Sequence, residues 1–296
     1  MRGILYSWMS QASKIIFTSD EVSFVQNLVF YIERAYRTPD FGMWECGTRY
    51  NDGTLFSSIG MVKAALEAIN GFNLYGSKGT VGSVIYVDID AHNRNRTTFE
   101  TLLPRESNSK NVDASLIPTV LYPCFATHDE NLCKRTMEKC MRKLKGKYGF
   151  KRFQIYLLYR GFLRDGRFTV LEDEKSRLYQ HGETKLFDGV ECQWPMFFIY
   201  LIIDGIFAGN ADQVRIYSEL LEPLLVVRDD QTIVPQYYFL PEEYIFHERC
   251  QPSSQPMLPS TMVSEGLFLW GQSLYIICCL LRNCFATYFY LYKHIF

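Results

Sequence analysis

Tyr36-Arg-Thr-Pro-Asp-Phe-Gly-Met-Trp44-Glu45 is the stretch on which the fold turns. A helix-like segment runs into a Pro/Asp/Gly turn, and the turn delivers an indole and a carboxylate side by side. A carboxyl group against an indole is partly desolvated, which disfavours its charged form and raises its pKa. A general acid in glycoside hydrolysis needs that environment. The tract therefore makes Glu45 a candidate acid and places the chain near sugar chemistry.

Working outward, Asp20 to Arg37 reads as the helix that leads into this turn. Val22, Val25, Val29, Ile32 and Tyr36 share one stripe, Ser19 or Asp20 is the expected cap, and Pro39 ends the run. Periodicity predicts further helices over Ser57–Asn70, stopped by Gly71, and over Val84–Leu102, closed by Pro104. Val112–Val120 is short and apolar with Pro118 inside it. Asp129–Lys145 carries Leu132, Met137, Cys140, Met141 and Leu144 on one face. Pro195–Ala208 is apolar on every side, which predicts burial all round. Ala211–Leu225, with Asn210 as cap, and Gly266–Leu281 complete about eight helices, with few credible strands. Helix pairs joined by long loops point to an all-α barrel or toroid, and no fixed-period repeat marks a solenoid.

The bulk numbers exclude several classes. At 296 residues, 48% hydrophobic and 21% charged, the chain has ordinary globular composition and length enough for a sizeable core. A net charge of -1 gives no field favouring nucleic acid. Nine cysteines without a CxxC pair read as reduced thiols, with no metal centre and no cofactor expected. Met1 to Trp8 lacks the apolar core of a secretion signal. The run Met196–Ile203 is too short to span a bilayer, and Gln272 and Arg282 interrupt the C-terminal apolar stretch. These features predict a cytoplasmic protein.

Several tracts match one lineage. "FGMWE" (41–45), "SSIGMVKAALEAI" (57–69), "VDASLI" (112–117), "GFLRDG" (161–166) and "ECQWPMFFIYLIIDGIFAGNADQV" (191–214) resemble the glucoamylases, glycoside hydrolase family 15. More closely, the tracts at 18–45, 64–76, 90–96, 102–107, 143–153, 185–195 and 267–277 resemble the regulatory subunits of phosphorylase b kinase. The tracts "DAHNRNR" and "KLKGKYGFKRF" favour the beta type over the alpha type. The resemblance implies an incomplete glucoamylase-like (α/α)6 barrel, a complete one needing about twelve helices. It also implies a non-catalytic subunit in a complex with an alpha regulatory subunit, a catalytic gamma chain and calmodulin as delta chain. Such a complex acts in glycogen metabolism. Family members are prenylated and so reach the cytoplasmic face of the plasma membrane, whereas this sequence ends Lys293-His-Ile-Phe296, which is no CaaX box.

Where the sequence departs from the family it divides as 1–14, a divergent N-terminus; 15–282, a partial glucoamylase-like domain with an atypical insertion at 154–162; and 283–296, an unrelated tail. The helices that would carry the glucoamylase Trp-Arg-Asp sugar-binding tract precede residue 15 in the family and have no counterpart here.

Through the resemblance, Glu45 matches the glucoamylase acid and Glu248, in His247-Glu-Arg-Cys-Gln-Pro252-Ser253, matches the neighbourhood of the base. An inverting glycosidase, possible glucan ligand included, is thus the alternative to a regulatory subunit. Its two carboxyls would stand about 6.5–9.5 Å apart. Cys133–Arg152 is strongly basic and amphipathic, which suits a calmodulin target, a membrane-surface element or, more simply, a solvated outer helix face. His247, Glu248 and Cys250 lack the convergent ligands zinc needs. Asp88–Arg96 reads as the exposed part of a helix. The Gly-rich 75–82 lacks the Lys-Ser/Thr of a P-loop and reads as a loop. No kinase signature is present.

Overall fold

The computed structural model of the chain describes residues 16–38, 40, 43, 56–76, 79–106, 110–155 and 189–295. Nine α-helices dominate these residues: α1 (Ser19–Ala35), α2 (Phe56–Ile69), α3 (Ile89–Leu102), α4 (Leu116–Val120), α5 (Glu130–Leu144), α6 (Met196–Ala208), α7 (Ala211–Leu221), α8 (Ile245–Cys250) and α9 (Leu269–Ile295). Six short strands form three antiparallel ribbons: β1 (Lys110–Asp113) with β2 (Phe153–Ile155), β3 (Val226–Arg228) with β4 (Gln231–Ile233), and β5 (Tyr238–Phe239) with β6 (Leu258–Pro259). The fold is the all-α toroid of helix pairs that the sequence predicts.

α6 is the axis of the core. Phe197, Phe198, Ile199, Ile202 and Ile203 are all fully buried. Each large side chain so buried contributes about 1.5–3 kcal/mol. The helix ends at Gly209, whose φ of 69° is left-handed and lets its N–H bond back into the last turn. One residue on, the Asn210 side chain accepts the Gln213 N–H at 3.1 Å and starts α7. Two residues thus reverse the chain, and α7 folds back onto α6. Gly205 sits against Val214 and Gln213 of α7, so a side chain there would press on the partner helix. α6 also packs against α9 and α4, and α5 packs on α4 and β1.

A second, smaller core holds the α1 end together: Val22 and Val29 of α1, Leu66 of α2 and Ile85. Gln26 pairs with the backbone of Tyr86 both ways, donating at 2.8 Å and accepting at 2.9 Å. Buried Glu33 accepts the Asp88 N–H at 2.7 Å. These contacts fix α1 across the segment that enters α3.

Several boundaries differ from expectation, each for a local reason. α1 is capped by Thr18, not Ser19 or Asp20, because Thr18 and Glu21 form a reciprocal capping box. α3 begins only at Ile89. Asp88 accepts the N–H groups of Asp90 and Ala91, and Val84 is tied in an isolated bridge to Asn73. Val112–Val120 splits into strand β1 and helix α4, where Pro118 is tolerated because it sits in the first turn. α7 stops at Leu221, before Pro223, and a 3-10 turn over Glu222–Leu224 follows. α9 starts at Leu269 and its backbone stays helical to Ile295.

The few strands matter more than their length suggests. Phe150 and Trp194 exchange backbone hydrogen bonds at 3.1 and 2.8 Å, and Gln193 and Tyr238 do the same at 3.0 and 2.7 Å. This cross-linked ladder joins "KLKGKYGF", "ECQW" and the β5–β6 ribbon. Gly149 has a φ of 141°, and a Cβ there would overlap the Trp194 carbonyl. Two helices at the margins show apolar side chains to solvent. Phe17, just ahead of α1, lines up with Phe24, Leu28 and Tyr31 on the helix, at spacings of seven, four and three; on α9 the residues are Leu269, Ile276 and Leu280.

Candidate functional site

The Trp44–Glu45 pair lies outside the described residues, as do "GFLRDG" and residues 156–162 of the atypical stretch. What precedes the pair is described: α1 ends at Ala35, and Tyr36 and Arg37 turn away from it. The Arg37 guanidinium lies over the Tyr36 ring, 5.8 Å from its centroid. Together with Ile59 of α2 and Asn93, Arg94, Thr97 and Thr98 of α3, these two residues line a cavity of about 560 Å³. The floor is apolar, since Ile59 is fully buried and Tyr36 nearly so. The rim is polar and exposed. The cause is helical periodicity: Ala91, Asn95 and Phe99 face the core, which turns Asn93, Arg94, Thr97 and Thr98 outward.

Two helical turns past Ile59 stands a polar cluster centred on Glu67. Its Oε1 is 2.8 Å from the fully buried Lys63 Nζ, 3.3 Å from His128 Nε2 and 3.4 Å from His92 Nε2. Burial opposes ionisation of Glu67, but the hydrogen bond and charge of Lys63, helped by His128, outweigh it and leave the carboxyl below its usual range. Burial also depresses His92, against the pull of Glu67. Lys63 needs a partner, because a buried ammonium without one is costly. The cluster therefore reads as an electrostatic lock between α2, α3 and the entry to α5.

Glu248 lies on α8, partly buried. One carboxylate oxygen accepts the Ser253 N–H at 2.5 Å and the other accepts the Gln255 N–H at 3.0 Å. Both oxygens thereby clamp the turn after α8, where Ser253 has a φ of 64°. His247 and Cys250 are exposed beside it, and no group of three or more metal-binding side chains occurs among the described residues. The structure brings Glu248 together with its own loop; Glu45 lies outside the described residues.

The basic stretch divides by face. Cys140 and Leu144 of α5 are fully buried, and Leu132, Met137 and Met141 pack against the main core. Lys134, Arg135, Arg142, Lys143, Lys145 and Lys147 are exposed. Arg152 is buried, and Lys151 pairs with Glu191 at 2.8 Å. The apolar anchors a calmodulin target would offer are thus already used by the fold. Asp88 caps α3, whose first turns expose Asp90, Asn93, Arg94 and Arg96 but bury Ala91 and Asn95; the described residues of 75–82 run into a 3-10 turn over Val81–Ser83 that the sequence did not predict.

The sequence reading missed the cavity. Its signal was present in the polar run 88–96, whose outward positions, continued to Thr97 and Thr98, became visible as a wall only once α1 was placed across them.

The paired helices packed around buried α6 define a glucoamylase-type helical fold. The chain belongs to glycosyl hydrolases family 15, whose family model matches residues 2–291. Among solved structures, a wild-type glycosidase superposes with a TM-score of 0.53 at 14% identity, covering 86% of this chain and 58% of that one. A variant of it in complex with glucose gives 0.52 at 13% identity. At such identity the likeness shows the fold alone. Among curated relatives, a Drosophila melanogaster chain named as a phosphorylase b kinase regulatory subunit beta is 49% identical over 94% of this chain. The rabbit (Oryctolagus cuniculus) skeletal-muscle alpha regulatory subunit is 42% identical over 92%. The chain spans 24% and 21% of these two relatives' lengths.

Proposed function

We propose that this chain is the glucoamylase-like part of a beta-type phosphorylase b kinase regulatory subunit. Its role is non-catalytic: it scaffolds a complex in glycogen metabolism and restrains a separate calmodulin-dependent catalytic chain. One observation carries the reading, the 49% identity over 94% of the chain to a beta regulatory subunit, against 42% to an alpha one. Its partners would be the catalytic gamma chain, an alpha subunit and calmodulin, in the cytoplasm, with membrane attachment by prenylation a property of the whole subunit. With the α5 anchors buried, calmodulin would join the complex through other contacts. The 1–14, 154–162 and 283–296 segments would be family-divergent attachments to the 15–282 core.

A second reading keeps the ancestral chemistry: an inverting glycosidase with Glu45 as acid and Glu248 as base. The glycosidase fold favours it. The hydrogen bonds that tie both Glu248 oxygens to the Ser253–Gln255 turn weigh against it, because they give the carboxylate a structural role in its own loop. Two measurements separate the readings. Co-expression with a kinase catalytic chain and calmodulin should give a co-purifying complex with no hydrolysis of maltose-type substrates. Turnover of such substrates that disappears in Glu45→Gln, without complex formation, would overturn the regulatory assignment.

A further inference from the structure

We propose that the cavity between the C-terminal end of α1 and the outer face of α3 binds a phosphorylated sugar, a phosphomonoester on a polyhydroxylated carrier. The volume of about 560 Å³ lies within the range of small-molecule sites, about 300–1,000 Å³. Its charge is set by Arg37 and Arg94. Neither has a carboxylate partner among the described residues, whereas Arg96 and Arg215 elsewhere on the surface are engaged by Glu100 and Glu219. Two guanidinium forks match a dianionic phosphomonoester, whose terminal oxygens accept bidentate bonds, better than a monoanion, which one fork satisfies. Stacking against Tyr36 holds the Arg37 fork at the wall and limits the rotamer entropy lost on binding.

The remaining groups select the carrier. Thr97 and Thr98 donate their hydroxyl protons to the Asn93 and Arg94 carbonyls at 2.9 and 2.8 Å. Their oxygens therefore keep lone pairs that accept from sugar hydroxyls. The Asn93 side chain adds a donor and an acceptor, and the accessible part of the Tyr36 ring offers an aromatic floor for a pyranose C–H face. A neutral glucan would leave both arginines unused, and the cavity is too small for nucleic acid. The proposal does not depend on the kinase-subunit reading, since its chemistry rests on these side chains alone.

Calorimetric titration of the 296-residue chain with glucose 6-phosphate, inorganic phosphate and glucose tests it. Glucose 6-phosphate should bind more tightly than phosphate, and glucose should give no heat. Arg94→Gln and Arg37→Gln should each weaken binding about tenfold or more, a loss of about 1.4 kcal/mol. Arg215→Gln, on α7, should leave it unchanged. Both cavity arginines are exposed, so the variants should keep the wild-type circular dichroism. Should either fail to fold, Thr97→Trp, which fills the cavity and leaves the charges in place, should abolish binding. Equal affinity for phosphate and glucose 6-phosphate, binding of glucose, absence of binding, or indifference to the arginine substitutions would each overturn the proposal.

Discussion

Gly149→Ala isolates the ladder that joins the two halves of the described chain. Gly149 has a φ of 141°, a conformation that costs a residue with a Cβ about 1–3 kcal/mol. The new methyl would also overlap the Trp194 carbonyl, which is backbone and cannot swing aside. Moving it breaks the Phe150–Trp194 pair, two hydrogen bonds worth about 0.5–1.5 kcal/mol each. The expected loss is about 2–6 kcal/mol, a large share of the roughly 5–15 kcal/mol by which domains are stable. Gly71→Ala is the internal control. Gly71 has a φ of 72° but open space around it, so Ala there carries only the left-handed backbone cost, about 1–2 kcal/mol. Urea unfolding followed by circular dichroism measures both. A midpoint for Gly149→Ala equal to that of Gly71→Ala, or to wild type, would refute the claim that the ladder organises the fold.

Three further outcomes are expected. Phe197→Ala, at a fully buried site beside Phe150 and Tyr200, should cost about 3–5 kcal/mol, while Phe246→Ala, 71% exposed, should stay within about 0.5 kcal/mol by the same unfolding assay. Stability should fall on acidification in two steps. His92 is depressed below its ordinary 6.5, so the unfolded chain takes up that proton first and stability drops as pH passes below 6.5 toward the folded value. Glu67 is depressed below 4.5, so its contribution is complete above that value and drains away as pH falls through the folded one. Thermal melts of His92→Gln and Glu67→Gln should lack the upper and lower step respectively; a stability that rises on acidification contradicts the assignment. Burial pushes Cys124 and Cys133 up to about 11 and Cys278 up to about 12, leaving almost no thiolate at neutral pH. Exposed Cys250 should therefore be the first of the described cysteines to react with iodoacetamide, read by mass spectrometry. Early alkylation of Cys133 would show that α5 leaves the core readily.

Helices were legible where a period, a cap and a stop agreed. α5 follows its Asp129 cap and its apolar face, and α6 follows an apolar run closed by Gly209. Boundaries failed where a distant residue chose the backbone. Val84–Asp88 is extended because Asn73, Gln26 and Glu33 hold it, none of which lies in that window. The ribbons were illegible because strands of two to four residues have no period to read, and β1 and β2 pair residues 40 to 45 apart in sequence.

The candidate site shows the same division. Residue identity alone marked Glu45 and Glu248 by their motifs. Only the folded loop revealed that each Glu248 oxygen accepts an N–H from the turn that follows, Ser253 and Gln255. No periodicity could have placed Arg37 and Arg94 on the wall of one cavity, since that cavity forms only where the end of α1 meets α2 and α3. The helical class, the order of the elements and the family of the tracts were legible without the fold, because capping and amphipathic periodicity are local. Which polar groups remain available for chemistry was decided by tertiary structure, because hydrogen bonding and desolvation depend on neighbours that the chain brings together only when it folds.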